Sequence, residues 1–320
     1  MKKSNKKILI TGGAGYIGQN LINFFLKENC RIHVIDNLSS SSEIKKHIKK
    51  KINFYRFDLS IESRVKSFFK KNNFDLIIHL AAFSGVEEFN KNLLKSFNNN
   101  ILATKNLVRF GFKNKQTKLI FSSSAAVYGK VSDKIISENN LCQPANYYGL
   151  SKLTCEKIII NEFKNKRNNY AILRYFNIVG TALDYKINKK INSLFDVISK
   201  SMKKKEYKIN INGKNFNTRD GTPERDFIHV KDLCNIHKKV YKYLEKNKNV
   251  ILNCGSGSRY SVLDIIKAFE KKVKRKFSLT YKVTNSDETQ TICSNVSLLK
   301  SLLKIDINEK GINNLIKDYI

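Results

Sequence analysis

Residues 7–18 read KILITGGAGYIG, a short apolar run that stops on glycines, and Ile17, Leu21, Ile22, Phe25 and Leu26 then recur at helical spacing. Strand, tight glycine turn and amphipathic helix in that order open a parallel β-α-β unit. The apolar strand must be buried, and the helix carries the chain back across its face. Gly12, Gly15 and Gly18 stand at G-x-x-G-x-x-G spacing directly between the two. Alone, such spacing matches many unrelated chains. Between a strand and a helix it lets backbone N–H groups approach a pyrophosphate, where the helix dipole favours negative charge.

The alternation continues. RIHVIDN (31–37) and NFYRFDL (53–59) read as strands ending in an acid, and DLIIHLAA (75–82) as a strand buried on both faces. KLIFSSSAAVYG (118–129) and YAILRYFNIVG (170–180) read as two more. Strands separated by helical stretches imply the α/β class and a Rossmann-like doubly wound parallel sheet. Beyond residue 181 the pattern loosens. A helix is expected in 187–205, a hairpin-like segment in KINING and NFNTRDGT, and a helix from near Val230. NVILNCGSG reads as a strand, and SVLDIIKAFEKKV and SLLKSLLK as amphipathic helices. The expected organisation is a dinucleotide-binding domain over 1–180 and a smaller mixed α/β domain over 181–320. With only two prolines and no linker, the segment about 226–253 is expected to pack back onto the first domain.

A net charge of +33, from 60 Lys+Arg against 27 Asp+Glu, invites a nucleic-acid reading. The basic clusters, such as Lys49–Lys51, Lys203–Lys205 and KKVKRK at 271–276, are short, scattered and without interleaved aromatics, so no nucleic-acid partner is expected. A basic surface still draws in small anions. No apolar run approaches the roughly 18 residues of a membrane span. MKKSNKK is followed by too short an apolar stretch for a secretory signal, so a cytoplasmic chain is expected. The six cysteines are irregularly spaced and the five histidines lack ligand spacing. Free thiols and no metal site are expected.

Ser122–Ser124 close a strand with hydroxyls, and Tyr148 and Lys152 follow, four apart and hence on one helical face. An unperturbed tyrosine, with a pKa of about 10, is a poor base at neutral pH. Lys152, together with an oxidised nicotinamide ring, is expected to bring Tyr148 down toward neutrality. Ser124 is placed to hydrogen-bond the reacting oxygen. Asp36 ends the second strand, where an acid accepts hydrogen bonds from ribose hydroxyls and repels a 2′-phosphate. Asn37, Leu38 and Ser39 follow without an arginine, so the cofactor expected is NAD rather than NADP.

These motifs, TGGAGYIG, SSSAAVYG and YGLSK, resemble the extended short-chain dehydrogenase/reductase family. LRYFNIVG (173–180), DGTPERDFIHVKDL (220–233) and NCGSGSRYSVLDII (253–266) narrow the resemblance to its NAD-dependent nucleotide-sugar 4-epimerases. The resemblance covers nearly the whole chain. It implies interconversion of UDP-galactose and UDP-glucose by transient oxidation at C4, with tightly bound NAD, a UDP-sugar substrate and a homodimer. By resemblance Asp58 contacts adenine, Tyr175 lies by the nicotinamide, Asn99 lies near cofactor and sugar, and Asn177, Asn192 and Arg225 hold the nucleotide sugar. The candidate catalytic residues are Ser124, Tyr148 and Lys152. The candidate cofactor residues are Gly12, Gly15, Tyr16, Ile17, Gly18, Asp36, Asn37, Asp58, Leu59, Ala81, Asn99, Tyr148, Lys152 and Tyr175. Ser124, Asn177, Asn192 and Arg225 are the candidate substrate contacts.

The chain departs from that family's pattern in several places. Ser84 stands where a lysine is frequent, VTNSDE at 283–288 lacks the family's arginine, and Tyr147 replaces a proline. The position gating N-acetyl sugars falls on Thr291, Ile292 or Cys293. Sister epimerases of UDP-N-acetylglucosamine or a UDP-uronic acid are the nearest alternatives. A 4,6-dehydratase would need an Asp-Glu pair where Ala125-Ala126 stand. A catalytically silent NAD-binding module acting through its basic surface would have no need of Ser124, Tyr148 and Lys152 together.

Overall fold

The computed structural model describes residues 6–39, 43–83, 89, 92–131, 135–183, 193–282, 290–307 and 311–320. Its strands in chain order are β1 (Lys7–Thr11), β2 (Arg31–Ile35), β3 (Asn53–Tyr55), β4 (Leu76–His79), β5 (Lys118–Ser124), β6 (Ile135–Ile136) and β7 (Tyr170–Tyr175). β8 (Asn177–Val179), β9 (Lys208–Asn212), β10 (Glu224–His229), β11 (Val250–Cys254), β12 (Arg259–Ser261), β13 (Ser278–Lys282) and β14 (Thr291–Ser294) follow.

Seven strands form one sheet in the order β3-β2-β1-β4-β5-β7-β11, and every neighbouring pair is parallel. The pleat explains the near-continuous apolar runs. Along β1, Ile8 and Ile10 enter the core on one face and Leu9 the core on the other. Helices Tyr16–Lys27, Val230–Lys246 and Ser297–Leu303 cover the first face. Helices Glu62–Lys71, Leu93–Phe110 and Tyr147–Phe163 cover the second. The chain steps outward from β1 to β2 and β3, then returns to β4 on the other side. Connections leave β1 and β4 in opposite directions and open a crevice at their carboxyl ends. This is the doubly wound parallel architecture read from the sequence.

The rest of the chain builds around β10. It pairs antiparallel with β12 and parallel with β14 and with β8, and β14 pairs parallel with β6. Helix Leu194–Lys203 starts at a capping box in which Ser193 and Asp196 satisfy each other's backbone N–H. The first part of the helix expected over 187–205 lies outside the described residues.

Three readings need correction. KINING and NFNTRDGT do not form a hairpin: β9 pairs parallel with β13, Ile209 opposite Leu279. Ile209 and Ile211 are buried and alternate with exposed neighbours, and the turn that follows closes on itself. Phe216 N–H donates to the Gly221 carbonyl and Gly221 has φ +76°. YAILRYFNIVG is not one strand. β7 stays in the large sheet, Phe176 N–H donates to the Cys254 carbonyl at 3.0 Å, and β8 leaves to pair with β10. NFYRFDL is strand only to Tyr55, so Asp58 sits on a loop.

Candidate active site

The crevice is floored by the glycine turn. Gly12 has φ +68°, and a β-carbon there would sit 2.7 Å from the Cα and N of Ala81 at the end of β4. A β-carbon on Gly18 would meet the Gly12 carbonyl oxygen and Gly13 Cα at 2.6 Å. The start of helix Tyr16–Lys27 therefore rests directly on the turn, and only glycine permits it. Gly15, the helix N-cap, has no side-chain cap, as expected of a helix N-terminus held open for an anion. Ile17 packs onto the core beneath, and the Tyr16 hydroxyl donates to the Gly180 carbonyl at 2.5 Å.

Asp36 lies just beyond β2. Its carboxylate accepts from Ala14 N–H at 2.9 Å and Leu38 N–H at 2.8 Å, so it orders the glycine turn and its own loop. Asp58 is a second centre. It accepts from Asn37 Nδ2 at 2.8 Å, from Ser60 N–H and Oγ at 2.8 and 2.7 Å, and from Asn99 Nδ2 at 3.3 Å. Burial opposes its charge, yet these bonds hold its pKa below the ordinary carboxylate value. Asn37, Asp58 and Asn99, from three separate segments, thus form one cluster beside Asp36. Leu59 is buried in the core next to it.

Across the crevice, Ser124 ends β5 and caps the short turn Ala125–Val127 by accepting from Ala126 N–H at 3.2 Å. Helix Tyr147–Phe163 is capped by Asn146, whose side chain accepts from Gly149 N–H at 2.8 Å. The first turn of that helix faces the end of β5: a β-carbon on Gly149 would lie 2.3 Å from the Ala126 carbonyl oxygen. That contact brings Tyr148 close to Ser124, whose hydroxyl favours the phenolate form. The Phe89 ring meets the Tyr148 ring edge-to-face at 5.9 Å. Lys152, one turn on and 3% exposed, donates to the Ser122 carbonyl at 2.8 Å, and its Nζ lies 6.0 Å from the Tyr148 ring centroid.

Burial pushes Tyr148 up to about 12, against a smaller opposing effect of the Ser124 hydroxyl. Burial also brings Lys152 down to about 8. Burial thus disfavours phenolate and ammonium alike, and the charge of an oxidised nicotinamide, which the expectation included, acts on the phenol in the opposite direction.

Tyr175 pairs in register with Ser124 across β5 and β7, and its hydroxyl is 2.8 Å from His237 Nε2. Nδ1 of that ring faces the Leu233 carbonyl at 2.9 Å and must donate, so neutral Nε2 accepts from Tyr175. Asn177 is exposed on β8, opposite Phe227 of β10, and donates to the Asp226 carbonyl at 3.3 Å. Arg225 is half-buried and donates to the Glu224 and Gln290 carbonyls. Asn192, Ser84 and the segment 283–288 lie outside the described residues. The three gate positions separate. Thr291 Oγ1 donates to Glu224 Oε2 at 3.2 Å and Cys293 turns toward Asp226, whereas Ile292 packs on the cluster holding Ala125, Val127 and Phe176.

Two buried centres escaped sequence reasoning. Asp226, fully buried, accepts from Ser256 and Ser294, through N–H and hydroxyl of each, and from Gly257 N–H. The other is the pair Glu156–Arg174. An acid one helical turn beyond Lys152, on the same face, was the available signal. Among the described residues no group of three or more His, Cys, Asp and Glu is placed to hold a metal ion, and no helix is long and apolar enough to cross a membrane. The six thiols are free, four of them buried.

Residues 8–255 match the model of the NAD dependent epimerase/dehydratase family. The UDP-glucose 4-epimerase of Drosophila melanogaster is 32% identical over 337 residues, covering 97% of this chain and 94% of that protein. The Campylobacter jejuni UDP-Glc/GlcNAc 4-epimerase structure superposes with a TM-score of 0.83 at 34% identity, covering 98% of each chain. The Bifidobacterium longum UDP-glucose 4-epimerase, solved in complex with NAD⁺ and UDP, gives a TM-score of 0.88 at 28% identity over 98% of this chain and 96% of that one. With the glycine turn at the switch point of the sheet and Ser124, Tyr148 and Lys152 gathered across from it, the chain belongs to the NAD dependent epimerase/dehydratase family, in its extended short-chain dehydrogenase/reductase branch.

Proposed function

We propose that the chain is a UDP-glucose 4-epimerase, an isomerase that interconverts UDP-galactose and UDP-glucose with retained NAD. The observation that carries this reading is the convergence of Ser124, Tyr148 and Lys152 at the carboxyl end of β5, across the crevice from the glycine turn. The crevice fits the dinucleotide. A side chain at Gly12 or Gly18 would collide with the backbone packed against the turn and break its shape, the uncapped helix N-terminus adds its dipole, and Asp36 and the Asn37–Asp58–Asn99 cluster supply acceptors and amides for the adenosine half. Asn37, Leu38 and Ser39 follow Asp36 with no arginine among them to receive a 2′-phosphate.

Bound NAD supplies the hydride acceptor and donor for C4 and, when oxidised, a positive charge beside the phenol. Tyr148 takes the proton of the sugar 4-hydroxyl and later returns it. Ser124 hydrogen-bonds the same oxygen and keeps it within reach of Tyr148. Lys152 holds its charge beneath the phenol, anchored on the Ser122 carbonyl. Asn177, Asn192 and Arg225 hold the nucleotide end, Arg225 through charge-assisted bonds. A sugar gripped at its diphosphate turns over between the two half-reactions, so one site serves both epimers. Tyr16, Ile17, Leu59, Ala81 and Tyr175 line the cofactor's length. The chain divides functionally into a cofactor unit over 1–180 and a sugar unit over 181–320, with 226–253 returning to the first, and it works as a cytoplasmic homodimer.

A UDP-N-acetylglucosamine activity is the second reading, favoured by the likeness to the Campylobacter jejuni enzyme. The test is NMR of products from the purified protein, with no added cofactor, given UDP-galactose and separately UDP-N-acetylgalactosamine. Conversion of the first to UDP-glucose is the expected result. Conversion of neither, even with NAD supplied, overturns the proposal.

A further inference from the structure

Below the proposed catalytic trio lies a layer of buried polar groups that no step above uses. Glu156 is 1% exposed and Arg174 5%. The two form a bidentate pair, Nη2–Oε2 at 2.8 Å and Nε–Oε1 at 3.1 Å. Ser123, 1% exposed, donates its hydroxyl to Glu156 Oε1. Arg174 Nη1 donates to the Tyr128 hydroxyl at 2.9 Å, which donates to Asn253 Oδ1 at 2.7 Å. Asn253 N–H in turn donates to Glu138 Oε1 at 2.7 Å. The helix, β5, β7 and β11 are thereby tied through one set of bonds.

A buried ion pair is a poor way to gain stability, because desolvating both charges offsets most of their attraction. Apolar replacements are frequently as stable, whereas removing one partner is strongly destabilising. The position of this pair points to geometry instead. Tyr148, Lys152 and Glu156 lie at successive turns of one helix face. They reach Ser124, Ser122 and Ser123 respectively, three consecutive residues at the end of β5. A helix sliding or rotating on the sheet would separate Tyr148 from Ser124, and the Ser123–Glu156 bond opposes that movement.

We infer that Glu156 is a positioning residue: through Ser123 it locks the helix bearing Tyr148 and Lys152 to the strand end bearing Ser124, and Arg174 orients and neutralises it for that task. This rests on the epimerase reading. Its second effect is electrostatic. The groups around Lys152 are Tyr148, Cys155 and Glu156 on its own helix, His79 from β4, and the Ser122 carbonyl and Phe121 ring from β5. Glu156 is the nearby carboxylate that favours the charged ammonium, against the burial that opposes it.

The test measures kcat, KM for UDP-galactose, NAD content and pH profile of the purified holoenzyme. Ser123→Ala removes the lock and leaves the Glu156–Arg174 pair intact. A small misplacement of catalytic groups lowers rate by up to about 10²-fold. Ser123→Ala should therefore lower kcat by about tenfold or more, with KM and NAD content unchanged. Glu156→Gln keeps the shape and removes the charge. Its alkaline limb of kcat should move to lower pH, because Lys152 then loses its proton more readily. If Glu156→Gln fails to fold, Ser123→Ala alone decides. A kcat within twofold of wild type in Ser123→Ala overturns the inference, as does a loss matched by NAD release or raised KM. An inactive wild-type protein would instead refute the epimerase reading, so the two failures are distinguishable.

Discussion

Asp226 offers a test of what holds the strands around β10 together. Its carboxylate accepts three backbone N–H groups, from Ser256 at 2.6 Å, Gly257 at 3.1 Å and Ser294 at 3.0 Å, and two serine hydroxyls. A hydroxyl can rotate to accept instead of donate; a backbone N–H cannot. In Asp226→Asn the amide nitrogen has two possible positions. In place of Oδ2 it faces two N–H groups, in place of Oδ1 only that of Ser256. The second orientation therefore wins, leaving one buried N–H unsatisfied at about 1–3 kcal/mol. Asp226→Ala strands all three, about 3–9 kcal/mol, which rivals the roughly 5–15 kcal/mol that stabilises a typical fold. Urea unfolding reads both: a lower midpoint with an unchanged m-value in the asparagine variant, and a much larger loss or failure to fold in the alanine variant. Asparagine and alanine variants equally close to wild type would refute the reasoning. Arg225 and Ile292 flank this centre on β10 and β14, so the asparagine variant should raise KM for the nucleotide sugar more than it lowers kcat.

Three further outcomes are expected. Tyr148→Phe should cut turnover by roughly 10²–10⁴-fold, the range of general acid–base catalysis, with NAD retained; near-normal turnover would remove Tyr148 from the mechanism. Gly12→Ala adds a β-carbon 2.7 Å from Ala81 at φ +68°, so the purified variant should carry little NAD by absorbance and denaturing release. A full complement would contradict the cradle. Burial lowers His79 to about 3 and His237 to about 4, from 6.5. Their neutral forms contribute stability that is complete above pH 6.5 and lost as pH falls through about 4, because the unfolded chain binds the extra protons. Urea midpoints measured between pH 7 and pH 4 should fall accordingly, and the fall should be shallower in His237→Gln.

What could be read in advance was local. KILITGGAGYIG specified strand, turn and helix because its glycines and apolar residues are neighbours in sequence. Tyr148 and Lys152 share a face for the same reason. The pairing of β9 with β13 was not legible, since nothing within KINING shows that its partner is SLTYK. Nor was the break at Phe176, where an unbroken apolar run passes from one sheet to another. Asn37, Asp58 and Asn99 each had a separate rationale, but their union is a tertiary fact. Glu156 stands one helical turn beyond Lys152 in the sequence, and its meaning depended on finding Arg174 behind it.

Tyr148 shows how two charges divide the work. Lys152 together with an oxidised nicotinamide ring is expected to bring the phenol toward neutrality, while burial among the protein's own groups raises it to about 12 and lowers Lys152 to about 8. Burial disfavours phenolate and ammonium alike, so both are pushed toward their neutral forms. A phenol at about 12 holds its proton firmly at neutral pH and is a competent donor. It becomes an acceptor only when a further positive charge is set against it in the same water-poor crevice, where such a charge acts strongly. A residue that must take a proton in one half-reaction and return it in the other is well served by that arrangement. Its affinity for the proton then follows the charge opposite it, and the helix-to-strand lock at Ser123 and Glu156 matters because that coupling weakens with every fraction of an ångström.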